Sequence, residues 1–155
     1  MKKILIAGIG NILRSDDGIG IRVTEILQSK DLPSNVDIIE GTSGIDLIGA
    51  FRGYDRVVIV DAMKTNREPG SIEIFSLGHL HVRGMTHPFS SHDLDISGLL
   101  NLGKKIFPDH MPDDVVIVGI EADDVTTFSD SCTPRVEKAA GIAVKMIEEL
   151  IAAQS

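Results

Sequence analysis

The stretch Gly8-Ile9-Gly10-Asn11-Ile12-Leu13-Arg14-Ser15-Asp16-Asp17-Gly18-Ile19-Gly20 indicates which type of fold this chain adopts. The apolar run that precedes it, 4–7, predicts a strand, and the amphipathic run that follows, 19–27, predicts a helix. In open α/β sheets, ligands bind where a parallel strand ends and the next helix begins. The stretch therefore predicts a functional turn at the carboxyl edge of a parallel sheet.

The predicted turn is acidic, because it contains the adjacent residues Asp16 and Asp17. A phosphate-binding turn offers backbone N–H groups and the positive end of a helix to an anion, which two carboxylates would repel. The pair Gly8 and Gly10 also lacks the third glycine of a dinucleotide fingerprint. These features favour a cation, while a nucleotide site with Glu40 on a ribose is the alternative. A purely structural interpretation is that one of the two aspartates caps the helix.

Length and composition narrow the class of protein. A chain of 155 residues is long enough for a real core, and we expect a single domain over 1–155. Lysine and arginine number 15 against 23 aspartates and glutamates, and the net charge of −8 argues against nucleic acid and anionic membrane as partners. No apolar run has membrane-spanning length and no signal peptide is recognisable, so a cytoplasmic protein is expected. A single cysteine, Cys132, excludes an internal disulfide and a thiolate zinc cluster.

Hydrophobic periodicity predicts strands alternating with helices. The predicted strands are Lys3–Ala7, Val36–Glu40, Arg56–Asp61, Ser71–Ser76 and Val115–Ile120, and the predicted helices are Asp17–Ser29, Ile45–Phe51, Asp93–Phe107 and Thr133–Ala153. The unbroken β-branched run of the third strand predicts the centre of the sheet. The short connection before the fourth predicts an antiparallel edge strand. The pattern indicates an α/β fold with a mainly parallel sheet of about five strands and helices on both faces.

Three residues are candidates for chemistry. Asp17 follows the first strand, Asp61 ends the third, and His92 precedes the third long helix. The two carboxylates share one edge of a parallel sheet, and His92 must return over that edge to join them. Two carboxylates and one imidazole are compatible with nickel, zinc, manganese or iron, and three ligands leave positions for water or substrate. The structural alternatives are that Asp61 accepts hydrogen bonds from the following turn and that His92 belongs to a helix N-terminus.

Two further segments lie on the same predicted edge. The turn after the second strand consists of small residues that admit a partner's backbone closely, namely Gly41, Thr42, Ser43 and Gly44. The loop before the last helix carries Asp123, Asp124 and Asp130, which could support the site, steer a cationic substrate segment, or simply be solvated.

The remaining histidines and the cysteine give weaker signals. His79 and His81 would share one face of a strand and could bind a metal, but the preferred interpretation is a solvated loop; His87 and His110 are interpreted as a turn residue and part of a polar connection. Cys132 precedes a helix, and the helix dipole could lower the pKa of its thiol. Paired with His92, such a thiolate would make a cysteine hydrolase, which is a further alternative.

Taken together, these motifs resemble the hydrogenase maturation endopeptidases. The opening motif, Gly-x-Gly-Asn-x-Leu-x-x-Asp-Asp-Gly-x-Gly, is the most specific part of the resemblance, and chain length and element order also agree. The resemblance implies a three-layer sandwich around a twisted, mainly parallel sheet. It also implies that Asp17, Asp61 and His92 are catalytic and metal-binding residues. The turn Gly41-Thr42-Ser43-Gly44 matches the segment of that family that recognises the substrate.

The resemblance further implies an activity. Members of the family remove a C-terminal extension from the large-subunit precursor of a nickel–iron hydrogenase after nickel insertion, so that precursor is the expected partner. Nickel presented by the substrate is the expected metal, although another divalent ion could occupy the same ligands. The alternative is a non-proteolytic nickel-binding or docking factor with the same three residues. The attacking water could be activated by the metal or by a carboxylate acting as general base.

Overall fold

The computed structural model describes residues 1–42, 44–77 and 96–153 of the chain. Its elements, in chain order, are β1 (Ile4–Gly8), a 3-10 turn (Ser15–Gly18), α1 (Ile19–Gln28), β2 (Val36–Glu40), α2 (Asp46–Phe51), β3 (Arg56–Met63), β4 (Ile72–Ser76), α3 (Ile96–Ile106), β5 (Asp114–Glu121) and α4 (Pro134–Ala152). The five strands and four helices predicted from periodicity are confirmed, with boundaries that differ by a few residues. His79, His81, His87, His92 and Ser43 lie outside the described residues.

The strands form one sheet in the order β2-β1-β3-β5-β4. Pairings β1–β2, β1–β3 and β3–β5 are parallel, whereas β4 pairs with β5 in the antiparallel sense. All eight residues of β3 are buried, which confirms the prediction of a central strand. The predicted antiparallel edge strand is also confirmed, because β4 lies at the edge of the sheet and runs antiparallel to β5.

Helices cover both faces of this sheet, so the described structure has three layers. Alternate residues of each central strand enter opposite cores, as the period of two requires. Ile4, Ile6, Val58 and Val60 pack in one core with buried residues of α1 and α4. Leu5, Val57, Ile59 and Ile117 pack in the other with buried residues of α2 and α3. None of the helices in the described ranges combines the length and apolar character needed to span a membrane.

One strand boundary matters for the site. The sequence predicts that Asp61 ends its strand, but β3 continues to Met63 because Asp61, Ala62 and Met63 pair with Gly119, Ile120 and Glu121 of β5. Asp61 therefore lies inside the strand, beyond the point where β1 ends opposite Val60. The alternation of β3 places Asp61 on the same face as Ile59 and Met63, the face covered by α2 and α3.

Candidate active site

The turn that joins β1 to α1 is packed closely against the end of β3. A Cβ atom at Gly20 would lie 2.2 Å from the carbonyl oxygen of Val60, so the first turn of α1 rests directly on the residue before Asp61. Gly10 has a φ of +133°, and a Cβ there would lie 1.9 Å from the carbonyl oxygen of Asp17. These glycines therefore let the acidic turn fold over the carboxyl edge of the sheet, and a phosphate is not needed to explain them.

Asp17 and Asp61 are both buried at this edge, each with about 1% of its surface exposed. The Asn11 N–H donates to Asp17 Oδ2 at 3.0 Å, and the Ala62 N–H donates to Asp61 Oδ1 at 2.8 Å. Carboxylates are rarely buried to this degree unless they are paired or hydrogen-bonded, because a charge loses its hydration in the interior. Two buried carboxylates at the edge where ligands bind in α/β sheets are typical of a site that receives a cation or a reacting group.

The third predicted site residue, His92, lies outside the described ranges. Ile96, where the description resumes at the start of α3, packs in the same core as Ile59 and Met63, on the face that carries Asp61. The helix that follows His92 in the sequence, α3, therefore packs on the face of the sheet that carries Asp61. Within 1–42, 44–77 and 96–153 no group of three His, Cys, Asp or Glu side chains is arranged to hold a metal ion. The three-residue site therefore stays a prediction.

Asp16, the neighbour of Asp17, has a different role from the predicted helix cap. In the described structure α1 begins after Gly18 without a side-chain cap, and the two aspartates lie in the preceding 3-10 turn. The fully buried Asp16 carboxylate instead accepts four hydrogen bonds from the loop 121–133. The donors are Thr133 N–H (2.7 Å), the Thr133 hydroxyl (2.8 Å), Asp123 N–H (2.9 Å) and Asp124 N–H (2.9 Å). The capping prediction is wrong because these distant donors use the carboxylate.

The loop 121–133 is held in place from several sides. The Ser129 N–H donates to Leu13 O, and the Ser15 N–H donates to Ser129 O, both at 3.0 Å. Asp124 folds back on the loop itself, and hydrogen bonds from the hydroxyl and N–H of Thr127, with the N–H of Thr126, lower its pKa to about 2. The acidic loop is therefore fixed against the acidic turn, and the Asp124 carboxylate stabilises the shape of the loop.

Cys132 does not have the properties of a nucleophile. Burial raises the pKa of its thiol to about 12, and the negative charges of Asp16 and Glu137 add to the effect. The thiol lies 3.8 Å from the carbonyl oxygen of Ser15, to which it donates. The prediction of a lowered thiol pKa is therefore wrong, since burial of the thiol, together with the neighbouring carboxylates, outweighs the nearby start of α4.

The small-residue turn after β2 reaches the same edge. The Gly41 N–H donates to Gly8 O at 3.1 Å, which ties the turn to the end of β1. Gly41 and Gly44 have φ values of +69° and +59°, and a Cβ at either position would meet no atom within 4 Å. The backbone conformation explains both glycines, and the open space beside them leaves room for a partner's chain.

Two buried or half-buried glutamates have structural partners. The Thr24 hydroxyl lies 3.0 Å from Glu40 Oε1, so the residue considered for a ribose contact is engaged with α1. The predicted fifth strand ends at Ile120, so Glu121 is not among the residues that the sequence predicts to be buried or functional. It is the last residue of β5, about 1% exposed, and its carboxylate accepts the N–H and hydroxyl of Thr65. Its signal in the sequence is an acidic residue that directly continues an apolar strand.

Comparisons with known proteins agree with this architecture. A family model described as HycI, hydrogenase maturation protease, matches residues 21–150. The hydrogenase 2 maturation protease of Escherichia coli K12 is 31% identical over 121 residues, which cover 76% of this chain and 72% of that protein. The structure of the hydrogenase maturating endopeptidase HybD from E. coli superposes with a TM-score of 0.86 at 27% identity, covering 99% of this chain and 94% of that one. A hydrogenase 2 maturation peptidase from Thaumarchaeota archaeon SCGC_AB-539-E09 superposes with a TM-score of 0.71 at 31% identity, covering 97% and 98%.

The α/β fold and these matches define the class of protein as a peptide-bond hydrolase. Within that class, the chain belongs to the hydrogenase maturation protease family.

Proposed function

We propose that this protease removes the C-terminal extension from the large-subunit precursor of a nickel–iron hydrogenase once nickel has been inserted. The observation that supports the proposal most strongly is the pair of buried carboxylates, Asp17 and Asp61, at the carboxyl edge of a chain that belongs to this family. We further propose that His92 completes the site. We expect the protein to act in the cytoplasm, where such precursors are synthesised.

In this proposal nickel is part of the substrate. Asp17 and Asp61 supply oxygen ligands and His92 a nitrogen ligand, a donor set that suits nickel and other divalent ions. The site lacks the thiolates and several histidines that usually hold a transition metal tightly, so it binds strongly only an ion that the precursor already carries. The positive end of α1 compensates part of the charge of the two carboxylates. Nickel then contributes binding free energy only in the filled precursor, which gives discrimination against the unfilled form.

The same residues can assist hydrolysis. Water bound at the nickel ion becomes a stronger nucleophile, and a carboxylate within hydrogen-bond reach can accept its proton. Asp61 is held by the Ala62 N–H and Asp17 by the Asn11 N–H, so both side chains are positioned before the substrate arrives. The turn 41–44 would hold the precursor's extended chain beside them.

The test is mass spectrometry of nickel-loaded and nickel-free precursor before and after treatment with the enzyme. Only the loaded precursor should be shortened, and Asp17→Asn, Asp61→Asn and His92→Ala should each reduce the rate by about 100-fold or more. Asp109→Asn is the matched control, since it removes one carboxylate from an exposed position in the connection before β5, away from the candidate site. Efficient cleavage of nickel-free precursor with a chelator present would refute the role of nickel. Nickel-dependent binding without a shortened product would instead indicate a docking factor.

A further inference from the structure

Beside the candidate active site lies a group of exposed apolar side chains that the fold does not use. Ile12 and Leu13 are each about half exposed, and Phe128 is 81% exposed. Phe128 is the most exposed aromatic residue in the described ranges, where Phe51 and Phe75 are buried. Single exposed apolar residues are ordinary, but several on adjoining loops mark an interaction surface. We call Ile12, Leu13 and Phe128 the apolar ledge.

The apolar ledge is rigid and adjoins the acidic turn. A parallel β-bridge joins Arg14 to Ser129, and the Ser129 N–H donates to Leu13 O, so the two loops that carry the ledge are bonded together. The 3-10 turn that contains Asp17 begins only two residues after Leu13. A surface that is ordered before binding loses little conformational freedom when a partner docks on it.

Next to the ledge is a cavity of about 460 Å³ with acidic walls. Its lining includes Ile12 of the ledge and four charged residues, namely Arg22, Glu25, Asp130 and Glu137. Arg22 forms ion pairs with Glu25 and Glu137, which leaves an excess of negative charge around the opening. The cavity therefore favours a long basic side chain, and the ledge beside it favours an apolar one.

We infer that the apolar ledge and the acidic cavity form the docking surface for the hydrogenase precursor, which inserts a basic side chain next to an apolar one. This inference rests on the proposed function, because it identifies the occupant as the protein substrate. A protease that acts on one folded precursor needs a specific interface of about 1,000 Å² or more, larger than the cleavage site alone. Phe128 is exposed and aromatic, and aromatic residues are frequent among those that dominate binding at such interfaces.

The experiment compares steady-state processing of purified nickel-loaded large-subunit precursor by variant enzymes. Phe128→Ser should raise KM by about tenfold and leave kcat within about twofold, because the ledge binds substrate without touching the reacting bond. Phe128→Leu keeps a large apolar side chain, so its KM should lie close to that of the wild-type enzyme. The matched control is Ile106→Ser, which removes an exposed apolar side chain at the opposite edge of the sheet and should change neither constant. Thermal melting of each variant confirms that the fold is retained.

The cavity is tested by charge reversal. Asp130→Lys should raise KM several-fold, whereas Asp109→Lys, an equal change at an exposed position far from the cavity, should not. If the wild-type enzyme processes precursor and Phe128→Ser does so with the same KM, the docking surface is refuted while the proposed function stands. If wild-type enzyme neither cleaves nor binds the precursor, the proposed function fails. Loss of a homodimer in Phe128→Ser with unchanged KM would assign the ledge to a second copy of the chain and overturn the inference.

Discussion

Replacing Asp16 by alanine tests whether this carboxylate joins the acidic turn to the loop 121–133. The substitution removes an acceptor of four part-buried hydrogen bonds, three of them from the backbone N–H groups of Asp123, Asp124 and Thr133. A hydrogen bond to a charged group contributes about 1.5–3 kcal/mol, and an unsatisfied buried donor costs about 1–3 kcal/mol. These contributions are not additive, and water can reach part of the opened loop. We therefore expect the free energy of unfolding to fall by about 4 kcal/mol, among the largest effects of single substitutions.

The assay is equilibrium unfolding in urea, followed by circular dichroism, with the slope of the transition compared between variants. Asp16→Asn should lower the free energy of unfolding by about half as much as Asp16→Ala. The amide oxygen of asparagine can accept the hydrogen bonds that Oδ2 accepts in the native protein, but its NH₂ group would face the Thr133 N–H, which is also a donor. The control Asp130→Asn removes an exposed carboxylate that accepts a hydrogen bond from the Ser131 hydroxyl at 3.3 Å, and should change stability by less than about 0.5 kcal/mol. A decrease below about 1 kcal/mol for Asp16→Ala would refute the reasoning.

Three other substitutions or titrations test the remaining features. Cys132→Ala should retain processing, and native Cys132 should react slowly with iodoacetamide at pH 8.5, because its thiol pKa is raised to about 12; fast alkylation would contradict this. Gly41→Val should be less stable than Gly41→Asn by about 1 kcal/mol, since asparagine tolerates the φ of +69°. If both variants stay folded but process the precursor poorly, the open space beside Gly41 admits the substrate. If both process it normally, Gly41 has only a structural role in the turn. The pKa of Asp124 is lowered from 3.8 to about 2, so its contribution to loop stability should be complete above about pH 4 and lost as the pH falls towards 2, as NMR titration of the Thr127 amide can show.

Local patterns in the sequence were sufficient for the architecture. The β-branched run of β3 indicated a strand buried on both faces, and the short connection to β4 indicated an antiparallel edge. Alternating strands and helices then determined a parallel sheet, whose carboxyl edge had to receive Asp17 and Asp61. These conclusions hold because hydrophobic periodicity and connection length act between residues that are close in the chain.

The tertiary structure alone decided what each acidic residue does. Asp16 and Asp17 are neighbours with the same side chain, but the Asp16 carboxylate accepts hydrogen bonds from a loop more than 100 residues later, whereas Asp17 Oδ2 accepts the N–H of Asn11. Contact between the acidic turn and this loop also raises the thiol pKa of Cys132, whereas its position before α4 predicted a lowered pKa. The same contact joins Ser129, the residue after Phe128, to Leu13 through a backbone hydrogen bond. Hydrogen bonding, burial and charge at these positions depend on groups that are distant in the sequence and become neighbours only when the sheet and both helical layers are assembled.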